Sequence, residues 1–240
     1  MNARRRFVTF LVQVLILTAI PCFGKNSSDL IKQREGHTIS LELEITKKNS
    51  NALQRFMAFM NLGPNGYATG FVVGEHLVMT AYHVVSGNID DSKKVALGFS
   101  RRDELQARVY ANGCQAKVVK VDEAADLALL EICGSSKPLT SLTFQSSLSK
   151  DEALLLIARP HGDRIISEGT FSGPYSMNGL DYWSGRITAR DGFSGSPVYN
   201  NKGELVGVFS GYDWSRKLAV ISPGMRAQKL LDEYFANPRP

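Results

Sequence analysis

From Ile39 the segment ISLELEI alternates apolar and polar side chains, the two-residue period of a strand with one buried face. Similar short β-rich stretches recur at Ala68 to Val73, His76 to Thr80, Lys94 to Phe99, Gln115 to Val121 and Leu127 to Ile132. A second series follows at Ala153 to Ala158, Glu168 to Gly173, Tyr182 to Ile187, Pro197 to Tyr199, Leu205 to Ser210 and Leu218 to Ile221. Clusters of Gly, Asn, Asp, Ser and Pro separate them, and Gly63, Pro64, Asn65 and Gly66 form a strong turn signal. Around Gln54 to Asn61 the spacing of Leu53, Phe56, Met57 and Met60 suits a helix as well as a strand. Only Gly224 to Phe235 has a convincing helical period. Many short strands without alternating helices predict an all-β fold of antiparallel barrels or sandwiches, not a parallel α/β sheet. The polar stretch Gly134 to Ser141, with Pro138 inside it, divides the strands into two comparable halves.

The first residues break this pattern. Arg4, Arg5 and Arg6 precede an apolar run from Phe7 to Ile20, Pro21 ends it, and Cys22 and Gly24 are small residues before Lys25. This is the layout of an export signal over residues 1–24, cut before Lys25. The run is short for a membrane-spanning helix, which needs roughly 20 residues, so cleavage is expected, with an uncleaved anchor as the alternative. The expected location is periplasmic or extracellular, with no stable membrane association after cleavage. Residues 25–38 are polar and lack a sustained period, which reads as a mobile leader.

Export alters the meaning of charge and cysteine content. The whole chain carries a formal +5, but without residues 1–24 it keeps 25 basic against 23 acidic side chains. No basic run of five or more remains, so nucleic acid finds no electrostatic footprint. Three cysteines without a CxxC pair and four histidines exclude a zinc scaffold or a disulfide-dense mini-domain. Cys114 and Cys133 would share an oxidising compartment, where either a bridge or two buried free thiols fits the sequence.

The densest chemical signal is Asp191 to Asn200, DGFSGSPVYN. Gly192 and Gly195 flank Ser194, and Pro197 opens an apolar strand. Such a cluster can be an ordinary turn. It also has the form required of a nucleophile: a serine on a tight, uncrowded turn, with backbone N–H groups aimed where an oxyanion develops. A serine nucleophile needs a base. His37 falls in the polar leader, His76 in a hairpin turn and His161 in a turn-rich loop, whereas His83 ends the strand-like LVMTAYHVV. A packed core histidine is the alternative for His83. The base in turn needs an acceptor on Nδ1, and Asp126 stands where EAAD enters the apolar run Leu127 to Leu130. A carboxylate drawn into that setting needs a hydrogen-bonding partner. Asp122 and Glu123 read as exposed turn charges.

TAYHVV, DLALL and GFSGSPV, in the order His, Asp, Ser, resemble the chymotrypsin-fold serine peptidases, in particular exported bacterial branches of the HtrA and glutamyl endopeptidase types. TGFVVGEHLVMTAYHVV is similar to the family's hairpin before the base, and GELVGVFSG to the strand after the nucleophile. The resemblance covers roughly residues 39–236. It implies two antiparallel β-barrels of chymotrypsin-like type with a C-terminal helix: one peptidase domain over 39–240, barrel 1 at about 39–135 and barrel 2 at about 142–236. It implies His83 as general base, Asp126 as its orienting acid, Ser194 as nucleophile, and the N–H groups of Gly192 and Ser194 as oxyanion hole. Ser210 and Gly211 fall where the family lines its primary pocket and binds substrate backbone, and Thr188 at the pocket base. The implied substrates are proteins or peptides, with no metal or organic cofactor; oligomeric state is left open.

Departures from the family pattern narrow the expectations. Phe193 replaces the aspartate that digestive peptidases pair with a new N-terminus, so that activation switch is not expected. Ser196 gives the GSP form of the glutamyl enzymes, yet Phe209 replaces their glutamate-recognising histidine. Neutral Thr188 offers no countercharge for Lys or Arg. A PDZ module is not expected after the final helix. An inactive binding protein on the same fold, or an esterase with the same residues, remains the alternative.

Overall fold

The computed structural model describes residues 26–48, 65–134, 142–177 and 179–236. The export signal, the ambiguous segment Gln54 to Asn61 and all of the polar divider after Gly134 except its boundary lie outside the described residues. The first half contains β1 (Thr38–Lys47), β2 (Gly66–Gly74), β3 (Leu77–Thr80), β4 (Leu105–Ala111), β5 (Cys114–Gln115), β6 (Lys117–Asp122) and β7 (Leu127–Glu131). These make one antiparallel sheet in the order β5-β4-β1-β2-β3-β7-β6. It curls around Leu41, Ile45, Val72, Val78, Val109 and Leu130. Among the described residues its ladder does not close, so the first of the two expected barrels is a curled sheet. Cys114 on β5 is disulfide-bonded to Cys133, just past β7, with Cα atoms 6.1 Å apart.

The second half contains β8 (Ala153–Ala158), β9 (Ile165–Met177), β10 (Leu180–Ile187), β11 (Pro197–Asn200), β12 (Leu205–Asp213) and β13 (Leu218–Pro223). They close into a six-stranded barrel in the cyclic order β10-β13-β12-β11-β8-β9. The helix α4 (Gly224–Ala236) follows directly. Leu154 and Leu156 on β8 face the barrel interior with Val198, Val206 and Ile221. Leu155 and Ile157, on the opposite face, pack with Phe71 and Met79 of the first half and with Leu230 and Leu231 of the last helix. Both faces of β8 are therefore covered. This is why ALLLIA is continuously apolar where a strand with one wet face would alternate.

Four local differences from the sequence expectations have physical causes. Residues Asn26–Glu35 form a helix, α1, within the stretch expected to be a mobile leader. Leu30 seats in the core shared by the two halves, and the Arg34 guanidinium lies 5.6 Å from the Tyr199 ring centre. Leu30, Ile31 and Arg34 dock it, too few apolar positions to produce a sustained period in a polar segment. His83 lies on a one-turn helix, α2 (Tyr82–Ser86), entered from β3, and not on the strand itself. The strand expected at Lys94 to Phe99 is instead the helix α3 (Asp91–Ala96), because the Asp90 side chain caps its start by accepting from the Lys93 N–H at 2.9 Å. Finally, β4 had no counterpart in the sequence pattern. Leu105, Val109 and Ala111 are buried along one face, but Gln106, Arg108 and the small Ala107 dilute the apolar signal.

Candidate active site

The site lies where the two halves meet. On the first half, β3 runs through Ala81 into α2, which turns the His83 side chain back toward the β6–β7 connection. Asp126 precedes β7 with a φ of +53, between the fully buried Ala125 and Leu127. Its carbonyl accepts the Tyr82 N–H at 3.1 Å. Its carboxylate oxygen Oδ1 accepts the His83 backbone N–H at 2.9 Å, and Oδ2 lies 2.9 Å from His83 Nδ1. Backbone and side chain of the histidine are thus held by one carboxylate. In the tautomer whose Nδ1–H donates to this carboxylate, Nε2 is left as an acceptor. Nε2 stands 2.8 Å from the Ser194 hydroxyl oxygen, from a residue 111 positions further along the chain.

On the second half, the turn before β11 carries Ser194 between two left-handed glycines, Gly192 at φ +86 and Gly195 at φ +83. Within it the Phe193 N–H reaches the Arg190 carbonyl at 3.2 Å and the Ser196 N–H reaches the Phe193 carbonyl at 2.9 Å. The Gly195 N–H ties the turn to the Phe209 carbonyl on β12 at 2.8 Å. The N–H groups of Gly192 and Ser194 have no acceptor among the described residues. Phe193 is buried among Leu154, Leu156 and Phe209, so apolar packing fills the place beside the Ser194 turn.

A model of the trypsin-like peptidase domain matches residues 68–208. The chain belongs to this family. Relatives include the probable periplasmic serine endoprotease DegP-like of Pseudomonas putida (strain GB-1), 30% identical over 148 residues, and its counterpart in Hahella chejuensis, 27% identical over 148 residues. The first alignment covers 59% of this chain but 28% of the relative, so the match spans little more than a quarter of such a protein. Among solved structures, the active form of the Rv3671c protease from M. tuberculosis superposes with a TM-score of 0.62 at 19% identity, covering 96% of this chain and 93% of that one. Deg5 superposes with a TM-score of 0.59 at 16% identity, covering 87% of this chain and 93% of that one. At those identities the likeness is one of fold.

Within this peptidase fold, the residues singled out in the sequence fall into two groups. His83, Asp126, Ser194 and Gly192 converge. Ser210 also joins them, but through its side chain: its hydroxyl donates to the Asp126 carboxylate. The motif position pointed to pocket lining and substrate-backbone binding, not to this contact, because a contact between residues 84 positions apart has no local signature. Ser210 and Gly211 line a cavity of about 180 Å³ with Tyr175, Met177, Tyr212, Asp213 and Val220. Thr188 is exposed in the loop after β10 and is not part of that lining. The His161 ring rests on Tyr67, with centroids 3.7 Å apart. Burial, and then the charge of Asp126, push the Tyr182 phenol above its ordinary pKa. Among the described residues no group of His, Cys, Asp and Glu could hold a metal, and no helix is long and apolar enough to cross a membrane.

Proposed function

We propose that the protein is a serine endopeptidase that hydrolyses peptide bonds of protein or peptide substrates through an acyl-enzyme. The observation that carries this reading is the relay from Asp126 to His83 Nδ1 at 2.9 Å and from His83 Nε2 to Ser194 Oγ at 2.8 Å. Ser194 Oγ attacks the scissile carbonyl carbon while His83 Nε2 takes its proton. The oxyanion so formed accepts from the Gly192 and Ser194 N–H groups. His83 then returns the proton to the departing amine, leaving an ester on Ser194, and water with the same base releases the acid. The Asp126 carboxylate orients the ring and steadies the imidazolium. Proton transfer by a positioned histidine typically contributes about 10²–10⁴-fold, and one oxyanion donor about 10²–10³-fold. The backbone of Ser210 and Gly211 pairs with the substrate, and specificity is set near the cavity they line. With Phe209 and Thr188 uncharged, selection for Glu, Lys or Arg side chains has no countercharge at those positions. The export pattern of residues 1–24 and the Cys114–Cys133 bridge support action in the periplasm or outside the cell.

The test is labelling by a fluorophosphonate together with cleavage of a peptide library. Wild-type protein is expected to label at Ser194 and to cleave, and Ser194→Ala to do neither while unfolding at the same temperature. Folded wild-type protein that reacts with neither reagent would refute the assignment.

A further inference from the structure

Thr69, on β2, is fully buried at the meeting of the two halves. Its hydroxyl donates to the Gly192 carbonyl at 2.8 Å and accepts the Arg159 N–H at 3.0 Å. Its own N–H donates to the Ser194 carbonyl at 2.9 Å, and its carbonyl accepts the Thr80 hydroxyl at 2.8 Å. One residue of the first half therefore grips the carbonyls at both ends of the tripeptide Gly192–Phe193–Ser194 of the second. We propose that Thr69 is a positioning residue for the oxyanion-binding turn, acting through the hydrogen bond from its hydroxyl to the Gly192 carbonyl. The proposal rests on the catalytic reading above.

Glycine is the weak point of such a turn. With both signs of φ open to it, the peptide units on either side of Gly192 rotate more freely than those of any other residue. Rotation that carried the Gly192 carbonyl away from Thr69 would strand a buried hydroxyl and shift the chain on which both candidate oxyanion donors sit. Pro160 also lies against Gly192, since a Cβ on Gly192 would lie 2.6 Å from the Pro160 Cβ. The turn is thus held by both a proline ring and a hydrogen bond. The hydroxyl spends its one proton on Gly192 and accepts one from Arg159, so the buried network is satisfied and has a single geometry. Valine has the shape of threonine and cannot donate, while serine keeps the donor. Misplacement of catalytic groups by about 1 Å can lower turnover by about 10²-fold, so loss of this anchor should appear in the chemical step, not in substrate affinity.

The experiment compares the full-length wild type with Thr69→Val, Thr69→Ser and Thr69→Cys in peptide cleavage and in binding of a peptide boronate, which mimics the tetrahedral oxyanion. Thr69→Val is expected to lose about tenfold or more in kcat with KM changed less than about twofold, and to lose a similar factor in boronate affinity. Thr69→Ser is expected to recover most of both. Thr69→Cys, a weak donor of similar size, should fall between them and carries the test if the valine variant does not fold. Val or Cys variants with wild-type kcat and boronate affinity would overturn the proposal, as would equal loss in Ser and Val or a loss confined to KM. A wild type inert to peptide and fluorophosphonate alike would overturn the catalytic reading itself, and with it the role of Thr69. A wild type that is active beside an unimpaired Thr69→Val would overturn only the latter.

Discussion

Gly195 shows how little freedom the Ser194 turn has at the level of single residues. It holds φ +83, and a Cβ there would fall 2.1 Å from the Thr80 hydroxyl and 2.2 Å from the Thr69 carbonyl oxygen, both on the first half. Gly195→Ala is therefore expected to lower stability by about 1–3 kcal/mol and to reduce turnover sharply, read from thermal unfolding and peptide cleavage. Unchanged unfolding would mean that the approach of the two halves is looser than these distances. The glycine spacing around Ser194 was readable in the sequence because only glycine adopts such backbone at no steric cost. His83 and Asp126 could be singled out as candidates because a serine nucleophile would demand a base and an acceptor, and the chain has four histidines to offer. The Ser210 hydroxyl on Asp126 and the grip of Thr69 on Gly192 were not, since both join residues far apart in sequence.

Among elements, α1 is the clearest gain over the sequence pattern. Leu30 is buried in the shared core, and Glu35 forms an ion pair with Arg164. Leu30→Ala should cost about 2–5 kcal/mol, measured by denaturant unfolding, and an effect below about 0.5 kcal/mol would show that the helix does not contribute to the fold. The turn between β12 and β13 gives a pH prediction. Hydrogen bonds from the Ser215 hydroxyl, the Arg216 N–H and the Tyr175 phenol hold the Asp213 carboxyl down to about 2. A folded-state value below the unfolded one of about 3.9 means that its contribution is complete above that value and disappears as pH falls through about 2. Carboxyl-carbon NMR of Asp213 should give a midpoint near 2, and a midpoint near the unperturbed value of about 3.9 would show that these hydrogen bonds do not hold the carboxyl down. Strand and helix types were legible where burial imposed a period. They were not at β4, where small and charged residues blur the alternation, or at α3, where a capping aspartate outweighs a weak strand pattern.

At the scale of the molecule, the halves are joined by one apolar core and by hydrogen bonds that include those of Thr69, of His83 with Ser194 and of Ser210 with Asp126, while the disulfide links β5 to the end of β7 in the first sheet. The Cys114–Cys133 bridge encloses a separation of 19 residues, for which chain-entropy arguments give roughly 3 kcal/mol. Reduction, or Cys114→Ser with Cys133→Ser, is expected to lower the thermal midpoint measurably in calorimetry. A midpoint indifferent to reductant would mean that the strand ladder alone holds that sheet.

The sequence by itself determined the fold class and the two-part organisation and singled out His83, Asp126 and Ser194 as candidates, because burial leaves a period in the chain and nucleophilic chemistry draws on few residue types. Only the tertiary structure decided that one sheet curls while the other closes, that Cys114 and Cys133 pair, and that Thr69 and Ser210 reach the site. Those outcomes depend on distances between residues remote along the chain, and such distances are set by packing all the elements at once.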